Sequence, residues 1–153
     1  AITTRHSDPG SSWKRALAEA TPGTKARVSQ VGGDFLPPHA IVGHFVMVAR
    51  GVGITPFSAQ LFNARDRELG VEGTLIVVAS ADEEEIYPEL SHVRGVRRVM
   101  VGSVDQISTA LPDSVDDISW AGVSGSPEFV AKARKNLEGA GVKRVQTDRF
   151  IGY

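Results

Sequence analysis

A chain of 153 residues has the length of one ordinary domain, and 41% hydrophobic with 23% charged residues is enough apolar material to bury a core. The formal net charge of −1 excludes the basic field of a nucleic-acid surface, and the absence of cysteine excludes disulfides and thiolate metal sites. His6, His39, His44 and His92 are too scattered for a metal-ligand spacing, and no apolar run reaches membrane length.

Ala1 to His6 reads as the end of a strand, with β-branched Ile2, Thr3 and Thr4, so the chain is expected to be part of something longer. Ser7-Asp8-Pro9-Gly10 is a turn by composition, and Ser11-Ser12 can cap a short helix from Trp13 to Ala20. Thr21-Pro22-Gly23-Thr24 breaks that helix. A strand through Ala26 and Val28 then runs into Gly32-Gly33-Asp34-Phe35, and Pro37-Pro38-His39 has the look of a linker.

Phe45 to Ala49 is an apolar run of strand length, ending in Arg50-Gly51-Val52-Gly53. Thr55 is suited to an N-cap and Pro56 to the first helical position, so a helix is expected through Leu61 and Leu69 to a stop at Gly70. A strand, a glycine turn and a helix N-terminus form an anion site, because unpaired N–H groups and the helix dipole converge there. A dinucleotide pyrophosphate would suit it. A tight turn without ligand has the same local sequence.

Further strands are predicted at Thr74–Ala79, Val96–Val101, Ile118–Val123 and Lys143–Thr147. Asp82 is placed to cap an acidic helix start, Glu83-Glu84-Glu85, and Gln106 to Leu111 reads as a short helical turn. Ser124-Gly125-Ser126-Pro127 opens a helix from Glu128 to about Ala140 that buries Phe129, Val130, Ala133 and Leu137. The expected fold is therefore α/β: a five-stranded parallel sheet with helices on both faces. Ligands of such sheets bind off the carboxyl ends of the strands, which are Arg50-Gly51, Ser80-Ala81, Val123-Ser124 and Asp148.

The ordinary Gly-x-Gly-x-x-Gly fingerprint fails, because Pro56 stands in its third glycine position. Gly51-Val52-Gly53-Ile54-Thr55-Pro56-Phe57 resembles instead the first turn of the NAD(P)-binding domain in the ferredoxin–NADP reductase superfamily. Ser124-Gly125-Ser126-Pro127-Glu128-Phe129-Val130 resembles that superfamily's Cys-Gly-x-Pro motif, with Ser124 replacing the cysteine beside the nicotinamide C4. Asp148 to Tyr153 resembles its terminus, where an acid lies near the hydride path and an aromatic covers the flavin. Phe150 is the first candidate for that cover and Tyr153 the second.

Residues 1–40 resemble the last portion of the superfamily's FAD-binding antiparallel β-barrel, and 41–153 its NAD(P)-binding domain. By that resemblance Gly10, Ser11, Ser12 and Trp13 would meet the FAD pyrophosphate, although Ser11 and Ser12 also suit simple capping. The flavin-cradling Arg-x-Tyr-Ser/Thr segment is absent, which makes tight FAD binding an expectation for the full-length protein. Ser80 and Asp82 occupy the adenosine end. No arginine follows the second strand, and carboxylates there repel a 2′-phosphate, favouring NAD over NADP. The same carboxylates suit the dipole of a helix start. Arg50 replaces the superfamily's usual small residue, as a phosphate contact or a solvated side chain.

The resemblance implies a cytoplasmic NAD(P)H-dependent flavoprotein oxidoreductase (or one on the cytoplasmic face of a membrane). It would pass electrons to a one-electron acceptor such as an iron–sulfur protein. A non-catalytic nucleotide-sensing module is the competing reading.

Overall fold

Three apolar strands form the buried middle of one sheet, and two partly exposed strands close its edges. The computed structural model describes residues 10–27, 35, 43–83 and 85–150. Its strands are β1 (His44–Ala49), β2 (Gly73–Val78), β3 (Val96–Val101), β4 (Ile118–Gly125) and β5 (Val145–Arg149), all parallel, in the order β3-β2-β1-β4-β5. The five-stranded parallel sheet expected from the sequence is present. The strand expected after Ala26 falls mostly outside the described residues, as do the opening strand, Gly32 to Asp34, Pro37 to His39 and Tyr153.

Alternate residues of the central strands feed two cores. Phe45, Met47 and Ala49 join Leu75, Val77 and Trp120 under α2 (Thr55–Asp66) and its Phe57 and Leu61. Val46 and Val48 join Ile76, Val78, Ala121 and Val123 under α3 (Pro127–Gly139), which contributes Phe129, Val130, Ala133 and Leu137. That period-two division is what a strand covered on both sides requires. The 3-10 segment Val104–Ala110 closes the second core with Ile107 and Ala110.

Helix ends explain the differences from expectation. α3 stops in a Schellman turn: Gly141, at φ 98°, donates to Glu138 O, and Val142 N donates to Leu137 O at 3.0 Å. α2 stops the same way but four residues before Gly70, because Glu68 takes the left-handed position at φ 53°. Leu69 N then donates to Ala64 O at 2.9 Å, and the Leu69 side chain is left exposed. No helix follows Asp82. There the Glu83 carboxylate accepts from Ser80 N at 2.9 Å, and Tyr87 is left-handed at φ 57°. Pro88 stops a helix there, because it disfavours helical geometry at Tyr87 and has no N–H to donate. Only the 3-10 turn Pro88–His92 forms.

The amino-terminal helix α1 (Ser12–Glu19) is capped by Ser11, whose Oγ accepts from Lys14 N at 3.3 Å. None of its residues is buried, and Trp13 and Leu17 are exposed. Phe35 packs against the α2 side of the sheet. Its ring lies 5.5 Å from Phe57 and 6.1 Å from Trp120, and its carbonyl accepts from Gln60 Nε2 at 3.2 Å.

Candidate functional site

The strand order creates the site. From β1 the chain moves outward to β2 and β3, then returns to the other side of β1 as β4. Connections therefore leave β1 and β4 in opposite directions, and a crevice opens between their carboxyl ends. Both glycine turns sit at that crevice.

On the β1 side, Gly51–Ile54 is a 3-10 turn running directly into α2. Gly51 has φ 54°, which a glycine adopts without steric cost. Gly53 is a close approach: a Cβ there would lie 2.6 Å from the Ser124 carbonyl carbon and 2.8 Å from Gly125 Cα. Thr55 is not the N-cap expected of it. It is the first helical residue, and its hydroxyl donates to Val52 O at 2.9 Å, bracing the turn from behind.

On the β4 side, Ser124 pairs in register with Ala49 of β1 and Asp148 of β5. The strand extends through Gly125, and Ser126 caps α3, accepting from Phe129 N at 3.3 Å. Pro127 opens the helix, while Phe129 is buried in the core and reaches the crevice only through the turn it supports. Phe150 N donates to Gly125 O at 2.8 Å, which brings the chain's last described residues to the same corner.

Ser124 is fully buried, and its Oγ has no hydrogen-bond partner among the described residues. A buried hydroxyl left in that state costs about 1–3 kcal/mol. Ser124→Ala is therefore expected to raise the stability of the ligand-free chain by about 1 kcal/mol in urea unfolding. The same variant should weaken binding of a ligand that supplies the missing partner. A loss of stability would refute this account of Ser124.

Charge at the crevice is mixed. Lys132, hydrogen-bonded to Glu128 at 2.8 Å on the first turns of α3, holds that carboxylate below its usual range, with a smaller contribution from Arg50. Glu128 in turn raises the Lys132 ammonium. Both are fully exposed, so the pair orders α3's surface and adds little to stability. Its contribution is present from the ordinary carboxylate range upward and is lost as pH falls through the lowered Glu128 value. At the alkaline end it is lost as pH rises through the raised Lys132 value. Arg50 is exposed, and its field falls on this α3 surface.

A cavity of about 220 Å3 opens at the other end of the crevice, past β2, with Gly51, Ile54, Val77 and Ala79 in its wall. Whole-ligand sites occupy roughly 300–1,000 Å3, so this one suits a single portion of an elongated ligand. Ser80 and Asp82 are exposed on the neighbouring turn. Although no arginine stands at Asp82–Glu85 after β2, Arg98 reaches this cavity from β3, where it pairs with Leu75 of β2. Two arginines inside an otherwise apolar strand, Arg97 and Arg98, were the available signal. Among the described residues no cluster of acidic and imidazole side chains is able to hold a metal, and no helix is long and apolar enough to cross a membrane.

These features match solved structures more than sequences. No family model and no curated protein matches the chain. The flavohem-like FAD/NAD binding domain of nitric oxide dioxygenase from Vibrio cholerae superposes with a TM-score of 0.57 at 23% identity, over 78% of this chain and 55% of that one. Ferredoxin-NADP+ reductase from Plasmodium falciparum (its H286L mutant) gives 0.56 at 14%, over 78% and 58%. The ferredoxin reductase of carbazole 1,9a-dioxygenase gives 0.55 at 18%, over 74% and 37%. This chain thus spans between about a third and three fifths of the structures it matches. Its five-stranded parallel sheet, switch point and flanking helices are the fold shared by these ferredoxin reductase-like proteins.

Proposed function

We propose that this chain is the nucleotide-binding part of an NAD(P)H-dependent flavoprotein oxidoreductase, with residues 41–153 as the dinucleotide domain and 1–40 as the edge of a flavin-binding one. One observation carries the reading: two glycine turns, Gly51–Ile54 and Ser124–Ser126, abut at the switch point of a parallel sheet, each leading into a helix. Helix N-termini favour a diphosphate, and the orphaned Ser124 Oγ supplies a buried hydrogen-bonding group at the same place. The residues present therefore fit a pyridine dinucleotide.

Gly51, Val52, Gly53, Ile54, Thr55 and Pro56 hold the diphosphate on one side, and Gly125, Ser126 and Pro127 on the other. Phe129 supports the second turn. Ser124 faces the nicotinamide ring, Asp148 lies beside it on β5, and Phe150, or Tyr153, covers the flavin. When bound, the nicotinamide would supply a hydride, which the flavin would pass on as two single electrons and a proton. This chain's own share is to orient the rings and exclude water. Ser11, Ser12 and Trp13 contribute to FAD binding in the full-length protein, where an iron–sulfur protein or similar centre takes the electrons. The protein works in the cytoplasm or at the cytoplasmic face of a membrane. NAD is favoured over NADP, since Asp82, Glu83 and Glu85 gather at the adenosine end.

The replacement of a cysteine by a Ser124 that is fully buried favours a second reading, a nucleotide sensor without hydride transfer. Calorimetry with NADH on this chain, and NADH-driven bleaching of the flavin in the full-length protein, separate the two. Binding with bleaching is the expected result. Binding by a colourless full-length protein supports the sensor, and absence of binding refutes both.

A further inference from the structure

The cavity past β2 holds an arginine that no motif announces. The Arg98 side chain is 5% exposed, yet it lines the cavity together with Glu83 and Glu85. Its Nη1 contacts Glu85 Oε1 at 2.7 Å and donates to Tyr87 O at 2.9 Å; Nη2 donates to Ile86 O at 3.4 Å. Its Nε is buried without a partner among the described residues. A guanidinium has five N–H donors, so part of its capacity remains unused. The Glu83 carboxylate is already engaged by Ser80 N across the cavity mouth.

Resting on the dinucleotide reading, we infer that Glu85 and Arg98 form the element that sorts the two pyridine coenzymes. An arginine at an adenosine pocket would ordinarily attract a ribose 2′-phosphate, because a guanidinium matches phosphate in charge and geometry. Here Glu85 cancels its charge, and the Ile86 and Tyr87 carbonyls hold its head in place. The pocket therefore accepts a ribose hydroxyl and refuses a second phosphate, while retaining the cation an NADP site needs. Specificity set in this way depends on removing one repulsive group rather than on adding a contact. Tyr87 also stacks edge-on to Phe62 of α2 at 6.1 Å, so the loop carrying Glu85 is anchored at both ends.

Glu85→Gln tests this. The residue is 47% exposed, and glutamine keeps its shape, so the variant folds without opening the core. NADH and NADPH, which differ only in the 2′-phosphate, are titrated by calorimetry into both the native chain and the variant. The native chain should favour NADH, and Glu85→Gln should shift the NADPH-to-NADH affinity ratio by about tenfold toward NADPH, as gaining a charge-assisted phosphate contact does. That gain should shrink with added salt. A purely structural Glu85 would weaken both coenzymes together. An unchanged ratio with NADH binding intact overturns the sorting role alone, as does a native chain that already prefers NADPH. Failure of the native chain to bind either coenzyme overturns the dinucleotide reading and this inference with it.

Discussion

Gly53→Ala is expected to remove coenzyme binding and to lower stability by about 3 kcal/mol, the upper range for overpacking a filled site. The added methyl meets the Ser124 carbonyl group and Gly125 Cα, which are backbone and cannot rotate aside as a side chain would. The carboxyl ends of β1 and β4 must separate to admit it. Ser124 is in register with Ala49, and Arg50 N reaches Ser124 O at 3.4 Å, so the separation strains the β1–β4 pairing itself. Moving a preorganised site by about 1 Å is worth about a hundredfold. NADH affinity should fall by about that factor in calorimetry, with the loss of stability read separately by urea unfolding. Gly139→Ala is the matched control, since a Cβ there meets nothing and alanine favours the helix. If Gly53→Ala binds NADH normally, the two turns do not form one site.

Phe57→Ala should cost about 3–5 kcal/mol, the range for deleting a buried phenylalanine. Phe57 is fully buried beneath α2, where it belongs to the core built on Phe45, Met47 and Trp120. It also receives the Phe35 ring, so the truncation removes a neighbour of Phe35. Two effects are expected: a lower urea midpoint, and easier proteolysis on the amino-terminal side of β1 before the sheet itself is cut. Loss of stability without increased cleavage would mean that Phe35 does not depend on Phe57 for its place. A cost below about 1 kcal/mol would show a core able to collapse around the missing ring.

Much of this molecule is written locally. Apolar runs of strand length, such as Phe45–Ala49 and Thr74–Val78, have no exposed face to offer, and that alone demands a sheet covered on both sides. The spacing of Phe129, Val130, Ala133 and Leu137 defines one stripe of α3, and Gly141 ends it because glycine takes the left-handed turn cheaply. Gly51, Gly53 and Pro56 are legible for a similar reason: backbone constraints act on the residue that bears them.

Whatever depends on which residues meet lies beyond local reading. Glu68, not Gly70, ends α2, since a Schellman pair of hydrogen bonds there outweighs the conformational cost of a non-glycine residue. The acidic segment after Asp82 forms no helix, because Pro88 disfavours helical geometry at Tyr87 and the backbone carbonyls of Ile86 and Tyr87 are drawn to Arg98. Sheet order decides the rest. Only the placement of β4 beside β1 makes a crevice of two distant glycine turns, and only the β2–β3 register carries Arg98 into the pocket past β2. Sequence alone determined the five strands of the sheet, the two helices that cover it and the glycine turns, whose constraints act within a few residues. Tertiary structure alone decided the site, because pairing between strands far apart in the chain is selected by burial of the whole sheet.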